Sequence, residues 1–155
     1  MTRAGTLPHV RHDIDRILID QHRIAERVES LAGEINDDLA GLSDDSEIVL
    51  IPVMTGAIIF VADLIRHLPQ KVRIHVITAS SYIGKSTTTT GDPKVGSLPD
   101  RLDGKHVVII DDILDSGTTI RRIRSAVEAL GPSSVRACVL LRKQLDAALE
   151  TPCEY

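Results

Sequence analysis

Residues 107–119, VVIIDDILDSGTT, gather three acids and four small or hydroxylated residues into one short string. Four apolar residues run into Asp111 and Asp112. Two more separate these from Asp115, Ser116, Gly117, Thr118 and Thr119. A serine, a glycine and two threonines at the mouth of a helix offer hydroxyls and backbone N–H groups that a ligand can approach closely. The helix N-terminus adds a partial positive charge, and together these make a phosphate cradle. It is not a Walker A loop, because no GxxxxGK is present. Adjacent acids at a strand end can hold sugar hydroxyls or a hydrated Mg²⁺. Their mutual repulsion is unfavourable without a cation or polar ligand nearby. The chemistry indicated is that of a sugar phosphate bound with a metal. Taken singly, Asp111 and Asp112 could merely end a strand, and Asp115 and Ser116 could merely cap a helix; the whole string carries the argument.

The elements that must position this string follow from spacing. Ile24, Val28, Leu31, Ile35 and Leu39 recur every three or four residues behind Asp20, a good N-cap, which predicts an amphipathic helix ending near Gly41. Ile17–Ile19 reads as a short edge strand, and residues 1–16 as loosely ordered. EIVLIPVM (47–54) is a buried strand in which Pro52 suggests an edge or end position. Gly56 and an apolar helix over 57–68 follow, stopped by Pro69. VRIHVITA (72–79) alternates as a second strand, Val107–Ile110 is a third, and Val135–Leu141 a fourth. Between the third and fourth, Ile120, Ile123, Val127 and Leu130 mark a helix over 118–130, closed by Gly131-Pro132. Residues 82–97 are polar, with Thr87–Thr90 in a row between Gly84 and Gly91, and read as a mobile lid. Strands alternating with helices predict one α/β domain over 1–155: a mostly parallel, twisted sheet with helices on both faces. Ligands in such sheets bind beyond the carboxyl ends of the strands. Met54-Thr55-Gly56, Asp111–Thr119 and the residues after Leu141 converge there.

Composition bounds the partners. The chain has 155 residues, with 18 Lys+Arg against 22 Asp+Glu, a net charge of −4 that argues against a nucleic-acid backbone as partner. Phe60, Tyr82 and Tyr155 are the three aromatics, too few for stacking several bases. The six histidines show no metal-ligand spacing. Two cysteines make no disulfide framework, and Cys138 reads as a core residue. No apolar run approaches membrane-spanning length and no signal peptide is seen, so the expectation is a cytoplasmic protein without a membrane partner.

The 107–119 string resembles the motif of type I phosphoribosyltransferases that binds 5-phosphoribosyl 1-pyrophosphate (PRPP): an apolar strand, two acids and a D-S/T-G-x-T loop. PVMTGAIIFVADLIRHLP is similar to the pyrophosphate-loop region of the 6-oxopurine branch, which includes hypoxanthine-guanine phosphoribosyltransferase. TASSYIGKSTTTTGDPKV is similar to its mobile catalytic loop, and LLRKQ to its purine-contacting lysine. The likeness covers roughly residues 17–155, with four motifs in the family's order.

The resemblance implies roles. Asp111 and Asp112 would hold the ribose hydroxyls and Mg²⁺. Asp115 would take the purine proton and, with Ser116, Gly117, Thr118 and Thr119, surround the 5-phosphate. Thr55 and Gly56 would contact pyrophosphate, next to a Met54–Thr55 peptide that is often cis in this branch. Ser81 and Tyr82 would close over the site; Lys143 would donate to the 6-oxo group, with Ile113 beside the purine. The function implied is purine salvage: transfer of phosphoribosyl from PRPP to hypoxanthine or guanine, giving the nucleoside monophosphate and pyrophosphate, in a homodimer or homotetramer. Thr55 stands where the family often has Lys, and Asp111 where it often has Glu. The family continues past a stretch like Pro152–Tyr155 into a hood that covers the purine, and the expectation is that this hood is missing from the 155 residues. A transferase for another base, xanthine or uracil, and a PRPP-binding regulatory module without catalysis remain alternatives.

Overall fold

The computed structural model describes residues 15–43, 45–78 and 98–155. Five strands form one parallel sheet: β1 (Ile48–Met54), β2 (Val72–Ile74), β3 (Ile77–Thr78), β4 (His106–Leu114) and β5 (Ser134–Arg142). The order is β2-β1-β4-β5, with β3 also pairing β1. Helix α1 (Gln21–Leu39) precedes β1, α2 (Ile58–Leu64) continues into a 3-10 turn at Ile65–His67, α3 (Thr118–Glu128) joins β4 to β5, and a short α4 (Asp146–Leu149) follows β5. The mostly parallel sheet with helices on both faces is as expected.

Side chains alternate across a strand, so each apolar strand serves two cores. Ile48, Leu50, Val108, Ile110 and Cys138 pack with Val28, Leu31 and Ile35 of α1 and Phe60, Val61 and Leu64 of α2. Val49, Ile51, Val107, Ile109 and Ala137 pack on the other face with Ile120, Ile123 and Val127 of α3. This is why the strands read as continuous apolar runs. The Asp20 carboxylate accepts from Arg23 N at 2.9 Å and caps α1 as expected. Gly131, at φ 74°, closes the α3 turn, its N–H donating to Glu128 O.

Four expectations need correction. Ile17–Ile19 is no strand: Ile17 and Leu18 lie more than two-thirds exposed, as the chain turns directly into the Asp20 cap. The single strand over 72–79 is broken at His75 and Val76. Pro52 sits in an interior strand, in register with Ile110 of β4. Leu50 O points toward the β2 side, where it accepts from His75 N. By the two-residue period Pro52 faces that side too, opposite the break, so its missing N–H disrupts no ladder there. The third strand does not end at Ile110. It continues through Asp111 and Asp112, because β5 keeps pairing with it to Leu114↔Arg142 after β1 has stopped at Pro52↔Ile110.

Residues 153–155 lie along the outer edge of β5. Glu154 and Tyr155 N–H both donate to Ala137 O, and Val139 N–H donates to Tyr155 O, each at 3.1 Å. The Tyr155 hydroxyl donates to Asp38 on α1 at 2.5 Å. Among the described residues no helix is long and apolar enough to cross a membrane.

Candidate active site

Strand parity divides the acid pair. Asp111 shares the face of Val107 and Ile109, and so points toward α3; Asp112 shares the face of Val108 and Ile110, toward α2. On the α3 side, Asp111, Ile113, Leu114, Asp115 and Ser116–Ile120 line a cavity of about 60 Å³. By that measure one water needs ~10–15 Å³, so the space suits a phosphate group. A larger hollow of about 430 Å³ opens at the amino ends of β1 and β2, lined by Leu39, Ser46 and Gln70 among others. Among the described residues that line it there is no acid and no helix N-terminus.

Gly117 adopts φ 73° and is the N-cap of α3 with no side-chain cap bond, which leaves the first N–H groups of the helix open. The Ser116 and Thr118 hydroxyls lie 3.0 Å apart at the same mouth. Burial pushes the Asp111 carboxyl up to about 7, and the neighbouring Asp112 carboxylate adds to this against the pull of the Asp112 N–H. That N–H donates to Asp111 at 3.1 Å, and Ile113 N–H donates to Asp112 at 2.8 Å.

On the α2 side, the Met54–Thr55 peptide is cis. The turn that follows brings Gly56 against Asp112: a Cβ on Gly56 would lie 2.5–2.8 Å from the carboxylate atoms. The clash is with the tip of a side chain that can swing away. Gly56→Ala is therefore expected to leave the melting temperature within about 1–2 °C, since surface-type changes stay within ~0.5 kcal/mol. It should nonetheless displace Asp112 and lower kcat/KM for PRPP by at least about tenfold, which steady-state kinetics beside thermal melts would read.

At the outer end, Lys143 Nζ and Asp115 Oδ1 form an ion pair at 2.7 Å, half exposed. Lys143 is placed by β5, whose ladder ends with Lys143 N–H donating to Leu114 O. Ile113 and Leu141, in register on β4 and β5, are each 38% exposed beside this pair and form an apolar shelf. Thus Thr55, Gly56, Asp111, Asp112, Ile113, Asp115, Ser116–Thr119 and Lys143 all lie at the carboxyl edge of the sheet. Ser81, Tyr82 and the 82–97 segment fall outside the described residues.

A family model of the phosphoribosyl transferase domain matches residues 16–151. The chain belongs to that family. A hypoxanthine-guanine-xanthine phosphoribosyltransferase of Tritrichomonas foetus is 32% identical over 145 residues, which are 92% of this chain and 76% of that one. Among solved structures, the hypoxanthine phosphoribosyltransferase of Trypanosoma cruzi matches with a TM-score of 0.75 at 29% identity, covering 93% of this chain and 81% of its own. The same enzyme in complex with the product IMP matches with a TM-score of 0.73 at 27% identity, over 91% and 73% of the two chains. The fold of the phosphoribosyltransferases is thus present together with the family match.

Three residues near the site escaped the sequence reading: Arg121, Arg142 and Thr151. Arg142 donates to the carbonyls of Ala148, Leu149 and Thr151, holding the end of α4. Arg121 and Thr151 touch the phosphate loop itself. Arg121 stands four residues after Gly117, hence above it on the helix. That spacing was the one available clue.

Proposed function

We propose that this phosphoribosyltransferase acts in purine salvage, transferring the 5-phosphoribosyl group of PRPP to hypoxanthine or guanine and giving IMP or GMP and pyrophosphate. One observation carries the reading. The phosphate cradle, the divided acid pair, the Gly56 turn and the Lys143–Asp115 pair line one edge in the order a phosphoribosyl pyrophosphate facing a base would require. The relatives named for hypoxanthine and guanine support the choice of base.

Residues Ser116–Thr119 hold the 5-phosphate through hydroxyls and helix N–H groups. Asp111 and Asp112 accept from the ribose hydroxyls, and the Thr55–Gly56 turn meets pyrophosphate through its backbone. The base rests on Ile113, with Lys143 donating to its 6-oxo group. Asp115 takes the imidazole proton as the purine nitrogen bonds the anomeric carbon and pyrophosphate leaves with the bonding electrons. Ser81 and Tyr82 keep water from the cationic sugar.

The residues fit Mg²⁺. Asp111 and Asp112 are hard oxygen donors, no group of three or more metal-ligating side chains exists among the described residues, and Mg²⁺ is commonly held by one or two carboxylates plus substrate oxygens. The raised Asp111 carboxyl marks charge that a cation would relieve. When bound, Mg²⁺ would neutralise the departing pyrophosphate. The protein would work in the cytoplasm as a homodimer or homotetramer; the exposed Ile58 and Ile59 on α2 favour self-association.

An assay of hypoxanthine, guanine, xanthine and uracil with PRPP and Mg²⁺ tests the reading. Turnover of hypoxanthine or guanine supports it. Turnover of xanthine or uracil alone reassigns the base, and PRPP binding without turnover of any base makes the protein a regulatory module.

A further inference from the structure

Gly117 has no room on the side facing away from the phosphate cavity. A Cβ there would lie 2.6 Å from Cβ and 2.8 Å from Cγ2 of Thr151. Thr151 is 1% exposed, the one polar side chain in the buried set of the described residues. Its hydroxyl donates to Ala147 O at 2.8 Å and accepts a hydrogen bond from Arg121 Nη1. Arg121 also reaches Ala147 O at 3.3 Å through Nη1 and Ser116 O at 3.1 Å through Nη2. Its own backbone N–H donates to Gly117 O at 2.9 Å.

These contacts fix two peptide planes. The carbonyl of Ser116 shares a plane with the N–H of Gly117, and the carbonyl of Gly117 with the N–H of Thr118. In a trans peptide C=O and N–H point opposite ways. Arg121 holds both carbonyls on the protein side, so both N–H groups are turned the other way, toward the cavity. The cation also polarises the Ser116–Gly117 peptide and strengthens its N–H as a donor. The fork of the guanidinium is what allows one side chain to reach Ser116, Ala147 and Thr151 together.

We propose that Thr151 and Arg121 are positioning residues for the phosphate loop: they lock the Ser116–Gly117–Thr118 backbone from behind, through the segment that follows β5, so that its N–H groups meet the 5-phosphate of PRPP. Neither touches substrate. The inference rests on the reading that this loop holds that phosphate.

Three variants of the full chain test it. Thr151→Val keeps the shape and removes the hydroxyl, Thr151→Ser keeps the hydroxyl, and Arg121→Lys keeps the charge without the fork. Steady-state kinetics and calorimetric titration with PRPP should show KM and Kd for PRPP rising about tenfold in Thr151→Val and Arg121→Lys, the scale found for supporting hydrogen bonds behind a ligand site. KM for the base should stay within about twofold, and Thr151→Ser should stay near the wild type on every measure, because an uncoupled site adds independently. Unchanged PRPP affinity in folded Thr151→Val overturns the proposal. So does a parallel rise of both KM values, which marks general loosening rather than loop positioning. Should Thr151→Val fail to fold, Arg121→Lys against Thr151→Ser makes the same comparison. A wild type that binds PRPP but turns over no base sinks the transferase reading alone, and the calorimetry still decides the brace. A wild type that binds no PRPP overturns both.

Discussion

Asp115→Asn is expected to lower kcat by about 10²–10⁴-fold, the range for removing a positioned proton acceptor. The amide keeps the size of the carboxyl and still accepts a hydrogen bond from Lys143, but it cannot take the purine proton. KM for PRPP should move by less than about twofold, because the carboxylate is asked to act at the base and in the transition state. Stability should hardly change. The Lys143–Asp115 pair is 48% and 60% exposed on its two sides, and such surface pairs contribute little. Burst kinetics beside a thermal melt would separate these effects. Turnover near that of the wild type would remove Asp115 from proton transfer and leave it as the partner of Lys143.

Asp111→Asn should do two opposite things. In the free protein the Asp111 carboxyl is pushed up to about 7, from an ordinary value of 3.8, chiefly by burial. Between those values the unfolded chain has lost its proton and the folded one has kept it, so stability falls as pH rises from about 4 to 7 and then levels. The full shift would amount to ~4 kcal/mol. Asp111 is only partly buried, and solvent screening reduces this to about 1–2 kcal/mol. Asparagine removes the penalty, so the variant should melt higher than the wild type at pH 8 and show little difference near pH 4. PRPP binding with Mg²⁺ should weaken by about tenfold or more, since a carboxylate that meets the ligand or its cation is gone. Urea titrations across pH and calorimetry together would check both halves. A variant no more stable than the wild type at pH 8 would mean that the acid pair carries no strain. A more stable variant with weaker PRPP binding would make the site one more place where a destabilised group is kept for its function.

The phosphate string is legible because its chemistry is local: Ser116, Gly117, Thr118 and Thr119 are neighbours in sequence and in space. The apolar strands and α1 are legible by period, down to the Asp20 cap. What the string hides is the direction of its acids. Read as a strand end, Asp111 and Asp112 give no sign that they approach a ligand from two sides. As residues within β4 they face opposite sides of the sheet, and only the longer pairing with β5 decides that. Lys143 became a site residue through family likeness, and its contact with Asp115 depends on two strand ends meeting. Arg121, Arg142 and Thr151 act on main-chain carbonyls of α4 and the phosphate loop. No periodicity reports such bonds, because the partner is backbone and every residue has one. Pro52 misled for the same reason: the break in its neighbour, at His75 and Val76, lies in a different part of the chain.

The register of the sheet bears on how the molecule assembles. Ile48 meets Val72 in the β1-α2-β2 unit, and His106 meets Ser134 in the β4-α3-β5 unit, each a local crossover. Ile48 meets His106 across about twice the chain separation. Loop closure makes that long-range join the slow one. The molecule is thus two short-range halves sewn along β1 and β4. Gly56 belongs to one half and Asp112 to the other, and they touch at the top of that seam. A ligand spanning pyrophosphate loop and phosphate loop stitches the halves together where the join is youngest. Its binding energy then opposes their separation first, so amide exchange along β1 and β4 is where PRPP should slow hydrogen exchange most.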